Sequence, residues 1–129
     1  MKKLIPFLSL VAVALPIMLI SCSRPNTVTL SASASSPNFL QATSTTLNVT
    51  STSSQVVLTG SIDITSGTFT IYVRDPNGNT VSSGALTYSC SSVACQQQIN
   101  EKYTAVTGNW TLGVNPTGAQ GSYSVQLSF

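Results

Sequence analysis

The stretch Gly67-Thr-Phe-Thr-Ile-Tyr-Val-Arg-Asp-Pro-Asn-Gly-Asn79 decides the fold class. Its apolar residues Phe69, Ile71 and Val73 alternate with polar ones, so they share one face of an extended chain. The segment that follows, Asp75–Asn79, combines proline, glycine and asparagine, which is typical of a tight turn. The stretch therefore predicts an amphipathic β-strand that ends in a turn.

The same alternation recurs along most of the chain, and no stretch keeps the apolar spacing of an amphipathic helix. The alternating runs lie at 28–34, 47–49, 56–64, 69–73, 86–88, 99–103, 110–114 and 123–129. Turn-forming residues separate several of them, at 66–67, 75–79, 107–109 and 115–118. This pattern predicts an all-β fold: a single antiparallel β-sandwich of about eight strands, either jelly-roll-like or immunoglobulin-like.

The alternation also sorts the aromatic side chains by face. The inward positions, which we expect in the core, hold Trp110, Tyr88, Tyr103 and Tyr123. Tyr72 falls on the outward parity together with Arg74. We therefore predict that Tyr72 is exposed and that Tyr72 and Arg74 form a possible binding surface for a protein or a glycan.

The N-terminal segment has the pattern of an export signal. Lys2 and Lys3 precede a long apolar run, Leu4–Ile20, which contains two prolines. A transmembrane helix usually needs about 20 apolar residues without such interruptions. We predict a signal peptide at 1–21, with an uncleaved N-terminal anchor as the alternative.

The junction Leu19-Ile20-Ser21-Cys22 resembles the lipobox of bacterial lipoproteins. The resemblance implies a diacylglyceryl group on the Cys22 thiol, cleavage before Cys22 and acylation of the freed amine, typically with palmitate. Two or three acyl chains would hold the protein at a bilayer durably, whereas one chain binds only marginally. Ser23 follows the cysteine, which implies the outer membrane if the host has one.

The chain has three cysteines, an odd number that needs an explanation in an exported protein. Lipidation of Cys22 leaves Cys90 and Cys95 as a pair in an oxidising compartment. We predict a disulfide between them that closes a short loop. A metal site at these two thiols is disfavoured because the chain has no histidine to complete it.

Charge and composition exclude several functions. The charged residues after the signal are balanced in sign: Arg24, Arg74 and Lys102 against Asp63, Asp75 and Glu101. A neutral surface is a poor ligand for nucleic acid. Without histidine, a serine nucleophile lacks its usual base, so we expect no enzyme activity and no cofactor.

Gly67–Asn79, Gly108–Val114 and Gly121–Phe129 each combine a glycine with an alternating strand that contains an aromatic residue. In this they resemble segments of bacterial pre-peptidase C-terminal domains, and the proprotein-convertase P-domain has similar strands and turns. The resemblance implies a β-sandwich that serves as a non-catalytic accessory or binding module. Acidic residues that can bind calcium in that family are replaced here by Thr68 and Thr70. Asp75-Pro-Asn-Gly-Asn79 copies the start of a calcium loop but lacks the later glutamate, and its residues are typical of a turn, so it is interpreted as a turn.

We predict three regions: a signal peptide at 1–21, a lipidated N-terminus with a short tether at 22–26, and a β-sandwich at 27–129. The tether could instead extend to about residue 44, because this region is rich in serine and threonine. The predicted function is a binding or accessory module at the cell envelope, with an envelope protein or glycan as partner. The alternative is a structural envelope protein without a ligand site.

Overall fold

A computed structural model describes residues 26–81, 86–91 and 93–129. The predicted signal peptide at 1–21 and Cys22 lie outside these ranges. The described chain forms six strands: β1 (Thr27–Ala34), β2 (Thr43–Val49), β3 (Gln55–Arg74), β4 (Leu86–Cys90), β5 (Cys95–Thr104) and β6 (Gly108–Ser128). All of their pairings are antiparallel, so the predicted all-β, antiparallel class is confirmed. No helix in the described ranges is long and apolar enough to cross a membrane.

Two long strands form the centre of the sheet, because β3 and β6 pair along most of their length. The other edge of β6 pairs first with β2 and then, further along, with β1. The other edge of β3 pairs with β5 and then with β4. The sheet thus has two four-stranded halves. We call them the β1–β5 half, which includes residues 55–64 and 121–128, and the β2–β4 half, which includes residues 67–74 and 108–117.

The two halves meet at an irregularity in both long strands. The register of β3 with β6 shifts between Ile64 and Ser66 and again between Ser66 and Thr68. Gly67 and Gly118 adopt positive φ at this point. Turn-forming residues at 66–67 and 115–118 therefore interrupt the pleat without ending the strands. This explains why six strands are found where about eight were expected.

Beyond the irregularity, β6 turns back on itself. The side-chain Nδ2 of Asn26 donates a hydrogen bond to the backbone oxygen of Asn48 at 3.3 Å. Asn26 is also bonded to Phe129 at one end of β6, whereas Asn48 pairs with Asn109 at the other end. A straight strand of this length would separate those ends by about 65 Å. The hydrogen bond therefore requires the two halves of the sheet to converge at the ends that lie away from the irregularity.

Aromatic side chains from both halves meet in the core. Phe69 and Trp110 are fully buried. The rings of Phe69 and Tyr123 lie 4.7 Å apart, and those of Tyr103 and Trp110 lie 6.4 Å apart. The Trp110 Nε1 donates a hydrogen bond to the backbone oxygen of Val106 at 2.7 Å. The inward placement predicted for Trp110, Tyr103 and Tyr123 is confirmed, and Tyr88 is half-buried.

The Tyr103 hydroxyl is buried and has no hydrogen-bond partner among the described residues. Burial, followed by the charges of Glu101 and Tyr88, raises the pKa of Tyr103 to about 12. Because the folded-state pKa lies above the ordinary value of 10, ionisation of Tyr103 does not change the stability below about pH 10, and stability falls as the pH rises from there toward 12.

Tyr103→Phe is therefore expected to keep or raise the free energy of unfolding at pH 7, by up to about 1 kcal/mol, because it removes an unsatisfied buried hydroxyl. The variant should also lose less stability than the wild type between pH 9 and pH 11. Urea unfolding at these pH values measures both effects, with Tyr72→Phe as the control outside the core. A loss of more than about 1 kcal/mol at pH 7 would mean that the hydroxyl is satisfied after all.

Candidate binding surface

The disulfide fixes the β4–β5 connection beside the irregularity. Cys90 and Cys95 are bonded, as the sequence predicted. Cys90 lies opposite Gly67 and Cys95 opposite Ile64 on the neighbouring strand β3. The bond therefore joins the end of β4 to the start of β5, one from each half of the sheet. Its short loop limits the entropic stabilisation, so its main effect is to position this corner.

The Asp75–Asn79 segment forms the predicted turn. The Asp75 Oδ1 accepts hydrogen bonds from the backbone nitrogens of Asn77 and Asn79, both at 2.9 Å. Its Oδ2 accepts a longer bond from the Asn79 side chain. Loss of hydration acts to raise the pKa of Asp75, but the bonds from Asn79 and Asn77 outweigh it, and the net shift is downward. The carboxylate is thus engaged by its own turn.

The described residues contain no group of three or more potential metal ligands.

Tyr72 and Arg74 lie on the outer face of the β2–β4 half. Tyr72 is opposite Gly113 on strand β6, and its ring occupies the space that a Cβ at Gly113 would need. The Arg74 guanidinium carbon lies 5.0 Å from the centre of the Tyr72 ring. The sequence placed Tyr72 on the correct face, but the side chain is half-buried rather than fully exposed because glycine lets the ring lie down against the sheet.

A shallow depression of about 430 Å³ adjoins this pair. Besides Tyr72 and Arg74, its lining consists of Ala42, Thr43, Ser44, Val114 and Asn115. Arg74 forms no ion pair with any residue in the described ranges. Its neighbour in sequence, Asp75, turns its carboxylate toward the backbone of residues 77–79 instead. The depression therefore combines an aromatic ring, an unpaired cation and several neutral polar groups.

Sequence reasoning predicted only Tyr72 and Arg74 and missed the other residues of this surface, among them Gly113, Ser44 and Asn115. Gly113 offered a signal, because it occupies an outward position between the buried residues Leu112 and Val114. Ser44 carried no signal of its own. It joins the surface because β2 pairs with the same end of β6.

The outer face of the β1–β5 half has a different character. Its positions are Thr27, Thr29, Ser31 and Ser33 on β1, Ser122, Ser124, Gln126 and Ser128 on β6, Val57, Thr59, Ser61 and Asp63 on β3, and Gln96, Gln98, Asn100 and Lys102 on β5. All but Val57 are polar, and most carry hydroxyl or amide groups. The Gln96 side chain donates to Asp63 Oδ2 at 3.0 Å, so the carboxylate of this face already has a partner.

A depression of about 520 Å³ on the β1–β5 face is lined by serine, threonine, glycine, glutamine and asparagine together with Ile99. It contains neither an aromatic ring nor a charged group. This depression thus offers an uncharged counterpart to the surface around Tyr72.

Large exposed apolar side chains in the described ranges are dispersed. Phe39, Val93 and Val106 are 50%, 74% and 39% exposed, and each lies in a different connection between strands. Single exposed apolar residues are ordinary on a protein surface. They do not define a protein-docking patch.

The sequence matches no protein-family model and no curated protein. The functional argument therefore depends on the residues of the chain and the surfaces they form.

Proposed function

We propose that the protein is a small bacterial lipoprotein held at the cell envelope through acylated Cys22. Support comes from the basic start at Lys2 and Lys3, the apolar run Leu4–Ile20 and the lipobox Leu19–Cys22. The proposed location is the outer membrane where the host is diderm. The first proposed partner of the protein is membrane lipid, which it contacts through acylated Cys22.

The exported domain is proposed to be a two-layer β-sandwich in which the β1–β5 and β2–β4 halves pack face to face. The contact of Asn26 with Asn48 and the close rings of Phe69 and Tyr123 support this arrangement. Each half has four strand segments, which accounts for the eight alternating runs of the sequence. A jelly-roll-like or pre-peptidase-like topology is favoured, since β1 and β2 both pair with β6, whereas in an immunoglobulin-like fold the first two strands pair with each other.

The proposed tether between lipid and domain is short. Asn26 is hydrogen-bonded to Phe129, and β1 begins at Thr27. The four Cα–Cα steps from Cys22 to Asn26 span at most about 15 Å. This supports a tether at 22–26 and a domain at 27–129, with the converging ends of the sheet close to the bilayer.

The domain is proposed to act as a non-catalytic binding module for a glycan or protein of the envelope. The observation that carries this proposal is the surface at Tyr72 and Arg74, where a ring laid on Gly113 and an unpaired guanidinium border a depression. Recognition surfaces commonly combine aromatic rings with arginine. The chain contains no histidine, which is consistent with a non-catalytic role.

A structural role without a ligand is the second candidate. The outer face of the β1–β5 half favours it, because hydroxyl and amide groups occupy most of its positions. Such a face stays hydrated and has no feature that selects a ligand. The two candidates therefore differ in what they predict for the two faces of the domain.

In-cell photo-crosslinking distinguishes the two functions. A photoreactive phenylalanine analogue is introduced at Ser44, beside Tyr72, or at the matched position Ser31 on the β1–β5 face. A binding module predicts a defined adduct from Ser44 that is absent from Ser31. Equal adduct patterns from both positions, or none from either, would contradict the binding module and favour the structural role.

A further inference from the structure

We propose that the depression beside Tyr72 binds a carboxylate-bearing saccharide, such as a uronic acid unit of an envelope polysaccharide. This inference rests on the proposed binding function and names its ligand class. Three features carry it: the orientation of the Tyr72 ring, the unpaired charge of Arg74 and the neutral polar lining of the depression.

One face of the Tyr72 ring covers Gly113, and the guanidinium carbon of Arg74 lies over the ring. The half-buried state of the side chain limits its rotamers before any ligand binds. Ring faces carry partial negative charge and contact the C–H groups on the flat side of a sugar ring favourably. Because the Tyr72 ring is already held in place before a ligand binds, it loses little conformational entropy on binding.

Arg74 supplies the charge selectivity. Its guanidinium carbon lies over the Tyr72 ring, 5.0 Å from the ring centre, so the hydrogen-bond donors of Arg74 and the ring belong to the same small surface. The planar fork matches a carboxylate through two parallel hydrogen bonds. The nearest acidic residue in sequence, Asp75, is occupied by Asn77 and Asn79, so it does not compete for this role.

The remaining lining is uncharged, and three of its side chains can bind sugar hydroxyls. Thr43 and Ser44 can donate or accept, and Asn115 provides both an amide donor and an acceptor. No carboxylate lines the depression, so nothing there repels an anionic sugar. Its volume of about 430 Å³ falls within the usual range of small-ligand sites. Since it is shallow, we expect weak binding per unit and stronger binding of a polymer to many anchored copies.

A lipid phosphate is the competing source of negative charge. Recognition of anionic lipid headgroups usually depends on a cluster of four or more basic residues. The described ranges contain only Arg74 and Lys102, which lie on different halves of the sheet. The charge distribution therefore favours a single carboxylate held against a ring over a phosphate surface.

The test uses the full lipidated chain in detergent micelles and isothermal titration with an oligogalacturonate. The matched ligand is the same oligosaccharide with its carboxylates methyl-esterified. We expect esterification to weaken binding at least about tenfold, and Arg74→Gln to have the same effect, because both remove the charge-assisted pair. Tyr72→Ala should weaken the binding of both oligosaccharides. Lys102→Gln makes the same charge change on the other half and should leave binding unaltered.

The possible results distinguish a failure of the carboxylate assignment from a failure of the proposed binding function. Equal, Arg74-independent binding of the free and esterified oligosaccharides would overturn the carboxylate assignment while keeping a glycan-binding module. Equal losses in Arg74→Gln and Lys102→Gln would overturn it as non-specific charge attraction. Glycerol 3-phosphate that binds as well as the oligogalacturonate would assign the site to phosphate and overturn it. Failure of the wild type to bind either oligosaccharide would also overturn it, and photo-crosslinking at Ser44 would then decide the binding function separately.

Discussion

Cys22→Ala is expected to abolish labelling of the protein by radioactive palmitate and to release it from the membrane fraction. The reason is chemical, because the thiol is the group that would receive the diacylglyceryl moiety. Each buried CH₂ group contributes about 0.8 kcal/mol to membrane binding, so losing all acyl chains removes the anchor completely. Metabolic labelling and fractionation of cell envelopes measure the two effects directly.

The matched control is Ser23→Ala, which changes the next residue and leaves the lipobox intact. It should be labelled and sedimented like the wild type. Cys22→Ala should still form the Cys90–Cys95 disulfide, because that bond lies in the folded domain. Unchanged labelling of Cys22→Ala would refute the lipoprotein proposal. A membrane-bound wild type that takes up no palmitate would also refute it and would favour an uncleaved N-terminal anchor.

The fold class was predictable because each strand buries only one face. Alternation at Phe69, Ile71 and Val73 therefore reports directly on burial, and these three side chains are fully buried. The strand count was not predictable, because the same turn-forming residues can end a strand or bend it. The positions of the apolar residues do indicate the bend, because their parity changes along β3. Within β3, the buried residues have even numbers from Val56 to Ile64 and odd numbers from Phe69 to Val73, and the register shift lies between these two runs.

The disulfide was predictable for a different reason. Only the odd number of cysteines and the lipobox at Cys22 were needed to pair Cys90 with Cys95. The argument did not require any knowledge of the sheet. The structure adds the consequence, which is that the bond connects strands belonging to different halves.

The candidate surface was predictable only in part. Tyr72 and Arg74 are close in sequence and alternate with buried residues, so their shared outward face follows from the pleat. Ser44 and Gly113 are distant in sequence and meet through the pairing of β2 with β6. Such long-range register depends on tertiary packing, which one sequence does not reveal. The depression could therefore not be predicted from the two residues that first indicated the surface.

The bend in the two long strands depends on Gly67, and its replacement should have a large effect on stability. Gly67 has φ of 74°, and a Cβ at this position would overlap the backbone carbonyl of Gly118 and the oxygen of Thr117. Both problems arise from the backbone, so side-chain rearrangement cannot relieve them. Gly78 makes a matched comparison, because it has φ of 83° and a Cβ added there would meet no atom within 4 Å.

Gly67→Ala is expected to lower the free energy of unfolding by about 2–5 kcal/mol, of which about 1–2 is the left-handed conformation and the rest is steric overlap. Gly78→Ala has the conformational cost alone and should lose only about 1–2 kcal/mol. Urea unfolding of the oxidised domain measures the difference, provided that the dependence on denaturant is the same in all variants. Equal losses in the two variants would mean that β3 and β6 can separate at the bend at little cost. A larger loss at Gly67 would mean that the close approach of the β3 and β6 backbones at this point stabilises the fold.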